Sequence, residues 1–506
     1  MDTLQGLLLG FSGALTPNNL LACFLGVTWG QLIGVLPGIG FIGGIVLLLP
    51  LTYQMEITGA MVMMAGIFYG AMYGGAITSI LINLPGDPPS VVSCLEGYPL
   101  ARKGRAGPAL AMQAIASFVG GTASVIALCL IAPPLVSVSL RFGPPEYFAL
   151  MFFGLSMVAY LSGQSVLKGL MMVVFGLMLG TVGIDIITGT HRFYFGQHEL
   201  LGGIDLVPVA IGLFGIGEIL ITLESKQRRE VIQPDLFDLR ALMPSQEEFR
   251  HAAPAVLRGS IVGFFVGVLP GAAATVSTFI SYAVEKRVSK HPELFGTGVI
   301  EGLAAPEAAN NAATGGAMVP LLALGMPYSP VTALMLNAMV AQGVQPSPLL
   351  MHNQPDFFWT VVASMYVGNI MLLVLNLPLV GVWASLLRVP LHYFYPIILL
   401  LCITGVYSSN YNLLDLQVMI IFGIIGYFMK KSDYPGAPLL LGLVLGPMFE
   451  NALGQSMIIS SGDPTILIYR PISGTIIMIA LCLLVWPGIR WIMGRREKFE
   501  ISKGQN

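Results

Sequence analysis

Long apolar runs, separated by short polar segments, recur along almost the whole chain. They are long enough for α-helices to cross a hydrocarbon layer of about 30 Å, and far too long for barrel strands. Inside a bilayer, only helices and closed barrels satisfy their own backbone groups. The pattern therefore predicts an all-α polytopic membrane protein. Crossings are expected near residues 57–84, 108–138, 145–162, 165–182 and 204–223, near 312–342, 357–388, 393–407, 413–429 and 436–450, and at an extra helix, 471–493.

Several short motifs recur in the same order in the two halves of the chain. Gly-Val-Leu-Pro-Gly occurs at 34–38 and again, identically, at 267–271. A fixed order with near-constant spacing indicates an internal duplication. The other matching motifs are Tyr-Gly-Gly-Ala at 73–76 with Thr-Gly-Gly-Ala at 314–317, Gly-Asp-Pro at 86–88 with Gly-Met-Pro at 325–327, and Phe-Gly at 175–176 with Phe-Gly at 422–423.

The duplication predicts five parts of the chain. The first residues, Met1-Asp2-Thr3, carry no basic segment, so we expect the first apolar run to be retained in the mature protein. The parts are an N-terminal apolar segment at 1–16, a first repeat at 17–224, a polar cytoplasmic linker at 225–251, a second repeat at 252–458, and an extra C-terminal helix with a basic tail at 459–506.

The distribution of basic residues indicates how the two halves are oriented. Lys and Arg in short loops favour the cytoplasmic side of a membrane. Four basic loops, found in both halves, each correspond to a loop without Lys or Arg in the opposite half, which predicts repeats of opposite topology. Arg141 and Arg192 are the exceptions to this pattern. The basic loops contain Arg102, Lys103 and Arg105; Lys226, Arg228 and Arg229; Lys286, Arg287 and Lys290; and Lys430 and Lys431.

The same charge pattern predicts a re-entrant hairpin in each half. The linker before Ala252 and the basic loop at Lys286 both fall on the cytoplasmic side, so the segment between them must pass the membrane an even number of times. Its two arms have about 15 to 18 residues each, at or below the length of about 17 that a full span needs. We therefore expect a hairpin with its tip at 267–271, and by symmetry a second one over 17–49 with its tip at 34–38.

Composition makes the polar groups inside the apolar runs informative. Hydrophobic residues make up 55% of the chain and charged residues 10%, against about 25% charged in a soluble domain. Gly and Pro are abundant, which favours broken helices, and a helix N-terminus at a break holds an anion without a basic residue. The candidate substrate- or ion-binding residues are Pro37, Gly38, Gly40, Gly75, Thr78, Asn83, Pro270, Gly271, Thr275, Ser277, Asn310, Asn311, Thr314 and Gly315.

Simpler interpretations of these residues stay open. Gly-rich membrane segments often form helix-packing faces, and Pro often only kinks a helix. Recurrence of the breaks at matching places in both halves favours a transport site. Glu301 and Glu307 lie at the polar stretch 305–311, which is either a solvated loop or a source of cation or substrate ligands.

Other classes of function are less well supported. Gly-Phe-Ser-Gly at 10–13 fits the nucleophile motif of rhomboid-like intramembrane hydrolases, but all six histidines lie in or beside loops. A passive anion channel is a second alternative. The chain has no Walker A motif for ATP, no clustered cysteines for a metal, and a net charge of −2 that does not suggest nucleic acid. We therefore expect no enzyme activity and no bound cofactor.

Three runs resemble the large, TctA-type subunit of tripartite tricarboxylate transporters: residues 30–40, residues 73–79 with 84–88, and residues 306–316. The resemblance extends over essentially the whole chain. It implies a multi-pass carrier of the bacterial inner membrane, driven by a gradient of Na⁺ or H⁺. A small four-helix membrane subunit and a periplasmic solute-binding protein are the implied partners. The implied substrates are tricarboxylates such as citrate, or related organic acids, moved by alternating access, of which an elevator motion is one form.

The opposite orientation of the halves gives a labelling prediction. Cysteines introduced at Gln54 and Gln345 should react with an impermeant reagent added from outside, whereas cysteines at Gly104 and Ser289 should not. Labelling in intact cells, compared with permeabilised cells, measures this. Reaction of the Gly104 and Gln345 positions from the same side would contradict the opposite topology.

Overall fold

The computed structural model describes residues 2–36, 40–161, 165–185, 187–224, 242–389 and 394–485, with only the backbone of Ser409. Within these ranges the chain is almost entirely helical. Seven of the described helices are long and apolar enough to cross a membrane, and shorter apolar helices lie between them. The expectation of an all-α polytopic membrane protein is confirmed, with one small β-hairpin as an addition.

The first half of the chain begins with a short helix and a helical pair. A proline at the first position of α2 fits a helix start, because its missing amide hydrogen has no helical partner there. The elements are α1 (Thr3–Ala14), α2 (Pro17–Val35), α3 (Gly40–Thr52), α4 (Ile57–Ile82), α5 (Val91–Leu100), α6 (Ala106–Ser139), α7 (Pro144–Leu161), α8 (Val166–Gly180), β1 (Gly183–Ile184), β2 (His191–Arg192), α9 (Leu206–Ala210) and α10 (Gly217–Glu224).

The second half repeats this order of a helical pair followed by an interrupted helix. Its first helix starts at a capping box, in which Ser245 and Glu248 each bond the other's backbone amide. The elements are α11 (Gln246–Gly267), α12 (Ala273–Val288), α13 (Ile300–Val319), α14 (Pro330–Ala341), α15 (Leu350–Asn353), α16 (Pro355–Asn376), α17 (Val380–Leu386), α18 (Phe394–Asn410), α19 (Leu413–Lys431), α20 (Gly436–Ile459), α21 (Ile466–Tyr469) and α22 (Pro471–Val485).

The chain forms two compact units. Unit 1 contains Met1–Leu140 and Asp205–Ser432, and unit 2 contains Arg141–Ile204 and Asp433–Asn506. Each unit therefore takes segments from both halves of the chain. Unit 1 holds both helical pairs and both interrupted helices.

Glycine faces bring the helices of unit 1 into backbone contact. A Cβ atom added at Gly259, Gly263 or Gly267 of α11 would lie 2.2 to 2.5 Å from a backbone oxygen of α13. On α2, Gly26, Gly30 and Gly34 meet backbone oxygens of α4 at similarly short distances, 2.2 to 2.5 Å. Small residues at spacings of four allow membrane helices to approach this closely, and dispersion contacts then hold them together. These two glycine-lined crossings form the core of unit 1.

Each helical pair is also joined by a polar contact between its arms. Arg258 of α11 donates to both carboxylate oxygens of Glu285 on α12, at 2.8 and 2.7 Å. In the first pair, the indole nitrogen of Trp29 donates to the carbonyl of Gly44 at 3.0 Å. Both predicted hairpins therefore consist of two helical arms. That they enter the membrane and return on the same side stays a prediction.

Unit 2 is built around the crossing of α8 and α20. Cβ atoms at Gly176 and Gly442 would each lie within 2.5 Å of a backbone oxygen of the opposite helix. A matching crossing occurs within unit 1, where Gly212 and Gly423 bring residues 211–216 against α19. Phe-Gly at 175–176 and at 422–423, paired by the sequence motifs, thus lies at a helix crossing in both units.

The loop between α8 and α9 carries the β-hairpin of unit 2. Arg192 on β2 pairs with Asp185 at 2.5 Å and with Glu450 at 2.7 Å. The Thr188 hydroxyl, the Ile187 amide and Arg192 together hold the pKa of Asp185 well below its ordinary value. Arg192, which is an exception to the charge rule, is therefore neutralised by its neighbours.

Two of the predicted crossings are wrong in their extent. The segment 312–342 is not one helix. Its first part belongs to α13, which begins at Ile300, and the chain is interrupted before α14 starts at Pro330. The segment 357–388 is also divided, into α16 and the short α17. The polar stretch at 305–311 is buried inside α13, so its interpretation as a solvated loop is wrong.

The backbone contact between α11 and α13 gives a stability prediction. A Gly263→Val side chain would have to enter space held by the Ala309 carbonyl, 2.3 Å from the Cβ position. Overpacking of this kind costs about 1 to 3 kcal/mol or more. We expect a lower apparent melting temperature and a smaller monodisperse fraction in fluorescence-detected size-exclusion chromatography.

The matched control for this prediction is Gly202→Val. Gly202 is exposed, and a Cβ atom there meets no atom within 4 Å. Its melting temperature should stay at the wild-type value. Equal melting temperatures for the Gly263 variant and the wild type would show that this crossing does not control stability.

Candidate functional site

Both interrupted helices of unit 1 end in a left-handed residue followed by a short extended segment. The C-cap of α4 is Asn83, which has a φ of 55°, and the chain becomes helical again at Pro88. The segment after α13 ends at Gly325, with a φ of 69°, and α14 starts at Pro330. We call residues 83–87 the first break and 325–329 the second break. Both leave backbone groups without helical partners.

Glycines bring the first break close to α2 and α4. A Cβ atom at Gly86 would lie 2.2 Å from the carbonyl oxygen of Gly34, and one at Gly75 would lie 2.9 Å from the carboxyl carbon of Asp87. The Gly86 amide also donates to the Gly75 carbonyl at 3.4 Å. Gly34, Gly75 and Gly86 therefore allow three backbone segments to meet at one point.

Side chains beside this point complete the first break. Thr78 and Ser79 donate to the Gly75 carbonyl at 2.8 and 3.1 Å, and Ser79 also donates to the Ser90 carbonyl at 2.9 Å. One oxygen of Asp87 accepts the Ser90 amide at 3.0 Å. The other, Oδ2, is buried and has no protein partner.

The second hairpin contacts both breaks. Gly271 has a φ of 112°, and its amide donates to the Tyr328 carbonyl of the second break at 2.8 Å. α12 packs against Pro88–Ser90, directly after the first break. Because only glycine adopts such a φ readily, the tip conformation depends on Gly271. Pro270, beside it, is buried.

Polar residues of α12 face the same region. The Ser277 hydroxyl donates to the Ala274 carbonyl at 2.7 Å and lies 3.4 Å from the Ala309 carbonyl of α13. Thr275 is partly buried, and its carbonyl accepts the Thr278 hydroxyl at 2.8 Å. The Ser277 hydroxyl thus lies between α12 and α13.

A polar stripe follows one side of α13. Glu307, Asn310, Asn311 and Thr314 occupy positions i, i+3, i+4 and i+7, which share a helix face. All four are buried, with at most 2% of the residue surface exposed. Thr314 donates to the Asn311 carbonyl at 2.7 Å. At Gly315, a Cβ atom would lie 2.2 Å from the Ser124 hydroxyl, which places α6 beside this stripe.

Glu307 is the acidic residue of this stripe, and it is fully buried. The Ser93 hydroxyl donates to one of its carboxylate oxygens, and the Ser117 hydroxyl lies 3.3 Å from the other. In the part of the chain that the structure describes, no ion pair reaches Glu307 or Asp87. Both of these carboxyl groups are therefore buried in unit 1 without a basic partner.

Several buried polar atoms at the site have no protein partner. They are Nδ2 and Oδ1 of Asn310, Oδ1 of Asn311 and Oδ2 of Asp87. Leaving such a group unpaired in an apolar interior costs about 1 to 3 kcal/mol, so native interiors seldom do so without a bound ligand, ion or water. These atoms mark the region between the first break and α13 as a candidate binding site.

Glu96 shows how a purely structural carboxylate differs from Glu307. Its two oxygens accept four hydrogen bonds: from the Tyr282 hydroxyl at 2.8 Å and from the amides of Gly296, Gly298 and Val299 at 2.5, 2.8 and 2.8 Å. It thereby fixes the turn that leads into α13. Glu96 has no capacity left for a ligand.

The structure does not bring all the predicted site residues together. Pro37 and Gly38 lie outside the described residues. Gly40, with a φ of 66°, has no atom within 4 Å of its Cβ position, and Asn83 is exposed. Gly75, Thr78, Pro270 and Gly271 lie at or beside the two breaks of unit 1, Thr275 and Ser277 lie on α12, and Asn310, Asn311, Thr314 and Gly315 lie on α13, which packs against α12 and Pro88–Ser90.

Two residues of the site were not selected from the sequence. Asp87 lies within the repeated Gly-x-Pro motif, and that position is the signal that could have identified it. The sequence leaves the role of Glu307 open, because its neighbours resemble a solvated loop. Ser12, the residue of the hydrolase alternative, lies exposed on α1 and donates to the Leu9 carbonyl at 2.7 Å. The described residues contain no group of three His, Cys, Asp or Glu suited to a metal.

Comparisons with known proteins agree with the resemblance noted in the motifs. The profile of the "Tripartite tricarboxylate transporter TctA family" matches residues 20–441. An uncharacterized 52.8 kDa protein in the TAR-I ttuC′ 3′ region of Agrobacterium vitis is 46% identical over 503 residues, 99% of this chain and 100% of that protein. A protein in the TAR-II ttuC′ 3′ region of the same organism is 44% identical over 231 residues, 45% of this chain and 96% of that protein. No solved structure matches the chain.

The role assigned to Glu96 can be tested by removing its carboxylate. Glu96→Ala leaves three backbone amides before α13 without their acceptor, at about 1 to 3 kcal/mol for each buried group. We expect a clear loss of thermal stability in the purified protein. Glu293→Ala, whose carboxylate is 65% exposed in the same loop, is the matched control and should keep the wild-type melting temperature. An unchanged melting temperature for Glu96→Ala would contradict the structural role.

Proposed function

The chain belongs to the tripartite tricarboxylate transporter TctA family, and on that premise we propose that it is the large membrane subunit of an ion-gradient-driven importer of carboxylates. The substrate is a tricarboxylate such as citrate or a related organic acid. The observation that carries the proposal is the group of buried, unpartnered polar atoms where the first break meets α13. A secondary transporter needs such a site in the membrane interior.

The chemistry of the site supports an anionic substrate. Backbone amides at the breaks, the Asn310 amide group and the hydroxyls of Thr275 and Ser277 are hydrogen-bond donors. Donors of this kind hold a carboxylate without a buried Lys or Arg, as helix N-termini do elsewhere. No basic residue of the protein then balances the negative charge of the substrate. The site therefore needs a cation to do so. Coupling to Na⁺ or H⁺ supplies one.

The recurrence of elements supports two repeats that work by alternating access. In each half, a helical pair is followed by an interrupted helix, and both pairs pack on the interrupted helices through glycine faces. The later helices of the two halves do not stay with their own half. Unit 2 combines α7 and α8 of the first half with α20 of the second. This arrangement suits inverted repeats in which one unit moves as a body, as in an elevator mechanism.

The proposed assembly contains two further proteins. Tripartite transporters have partner subunits, which here are a small four-helix membrane subunit and a periplasmic binding protein that delivers the carboxylate. The proposed location is the inner membrane of a bacterium. The position of the relatives from Agrobacterium vitis beside ttuC′ is consistent with a multi-gene system.

Transport assays with the assembled subunits test the proposed function directly. Vesicles containing the chain and its partner subunits would be given a panel of labelled tricarboxylates, dicarboxylates and aromatic acids, with and without Na⁺ and pH gradients. We expect uptake of at least one carboxylate that depends on the binding protein and on one gradient. Uptake of none of them under any gradient, from vesicles with normal subunit abundance, would refute it.

Variants of the site separate ligand binding from helix packing. Thr275→Val and Asn311→Ala remove polar groups and leave the tip glycine intact. Losing one hydrogen bond to a charged ligand weakens apparent affinity by about 1.5 to 3 kcal/mol, or roughly ten- to a hundredfold. Gly271→Ala should block binding through bulk and strain, and the strain there is about 1 kcal/mol or more. From the repeated motif, we expect Gly38→Ala to block binding as well. The measurement is concentration-dependent uptake.

Thr404→Val is the matched control for Thr275→Val. Thr404 lies exposed on α18, and its hydroxyl donates to the Leu400 carbonyl at 2.8 Å. Its uptake should equal that of the wild type. Wild-type affinity for substrate and cation in all four site variants would mean that the breaks serve packing only.

A further inference from the structure

Glu307 and Asp87 are buried carboxyl groups of unit 1 with few hydrogen-bond donors around them. Glu307 is 0% exposed and Asp87 is 3% exposed. An ionised carboxylate inside a membrane protein is very costly unless it is paired, and interior ionisable residues usually face an ion or proton pathway. Among the described residues, no Lys, Arg or His forms an ion pair with either group.

The two carboxyl groups lie on neighbouring elements. Asp87 directly precedes Pro88–Ser90, and α13, which carries Glu307, packs against both Pro88–Ser90 and α5. Like charges repel more strongly in a medium of low dielectric constant than in water. One cation placed between or beside them would offset the free-energy cost of burying both charged groups. It would also reduce their mutual repulsion.

The unpartnered oxygens favour a metal cation over a proton on Glu307 alone. A proton on Glu307 would neutralise that group, but it would leave Oδ1 of Asn310, Oδ1 of Asn311 and Oδ2 of Asp87 without a donor. A hard cation is bound by several carboxylate and amide oxygens at once. Asn310 and Asn311 lie one turn after Glu307, on the same side of α13, so their oxygens are placed to act with it.

Glu307 keeps capacity for such a ligand in spite of its serine partners. An ionised carboxylate has about four lone-pair positions, and the Ser93 and Ser117 hydroxyls use two of them. Serine hydroxyls also fix the orientation of the carboxylate, as outer-shell hydrogen bonds do at metal sites.

We propose that at least one Na⁺ binds where the first break meets α13, with oxygen ligands from Glu307, Asp87, Asn310 and Asn311. The proposal rests on the proposed function, since it identifies the coupling cation of that transporter. Na⁺ and a carboxylate bound near the same breaks attract one another. Each therefore raises the affinity for the other by the same factor.

Binding of ²²Na⁺ to the full-length protein in lipid nanodiscs tests the site without transport. Choline chloride keeps the ionic strength constant. Glu307→Gln and Asn310→Ala each remove one proposed ligand, and Glu293→Gln, whose side chain is 65% exposed in the loop before α13, is the matched control. We expect saturable binding to the wild type and to Glu293→Gln. Binding to the two site variants should be weaker by about tenfold or more.

The outcomes separate this inference from the proposed function. Wild-type ²²Na⁺ affinity in Asn310→Ala and in folded Glu307→Gln would overturn the site; if Glu307→Gln does not fold, Asn310→Ala decides alone. Absence of ²²Na⁺ binding to the wild type, together with carboxylate uptake driven by a pH gradient, would also overturn it and leave the importer intact. Saturable ²²Na⁺ binding lost in the site variants supports the inference, whatever carboxylate the vesicles take up.

Discussion

A polar group in the interior of a membrane protein must find its partner within the protein or in a ligand, because lipid offers none. This constraint governs unit 1. Its helices approach so closely at glycine faces that backbone oxygens of one helix touch the backbone of the next. The close approach leaves no room for water between the helices. The interrupted helices at Asn83 and Gly325 are therefore tolerated only because nearby hydroxyls, amides and the Gly271 tip satisfy part of their backbone.

The carboxylates of unit 1 show the two ways in which the constraint is met. Glu96 accepts hydrogen bonds from one hydroxyl and three amides, so its charge is fully solvated by protein and it serves the fold. Glu307 has two serine partners, and one oxygen of Asp87 has none. The difference lies in how many donors surround each group. A deficit of donors around buried oxygens is what a cation site requires, and the unpartnered Nδ2 of Asn310 beside it is a donor for an anion.

The sequence predicted much of the fold because apolar length and repeated motifs are local signals. The spans at 108–138, 145–162 and 165–182 agree closely with α6, α7 and α8, and the arms on either side of 267–271 are helical. The start of α13 was missed because Pro306, Glu307 and two asparagines resemble a solvated loop. They form a helix since packing against α5, α6, α11 and α12 buries them and overrides their weak helix preference. Which polar groups lack partners depends on contacts between residues far apart in the chain, as between Ser93 and Glu307. No local pattern contains that information.

The central claim is that the unpartnered atoms between the first break and α13 hold the transported carboxylate and its cation. A density map of the full-length protein in lipid nanodiscs, recorded with NaCl and citrate and again with choline chloride alone, tests this most directly. The account predicts added density beside Asn310 and Asp87 in the first map and its absence in the second. Density for citrate at another place, with the same region packed by protein side chains in both maps, would contradict it.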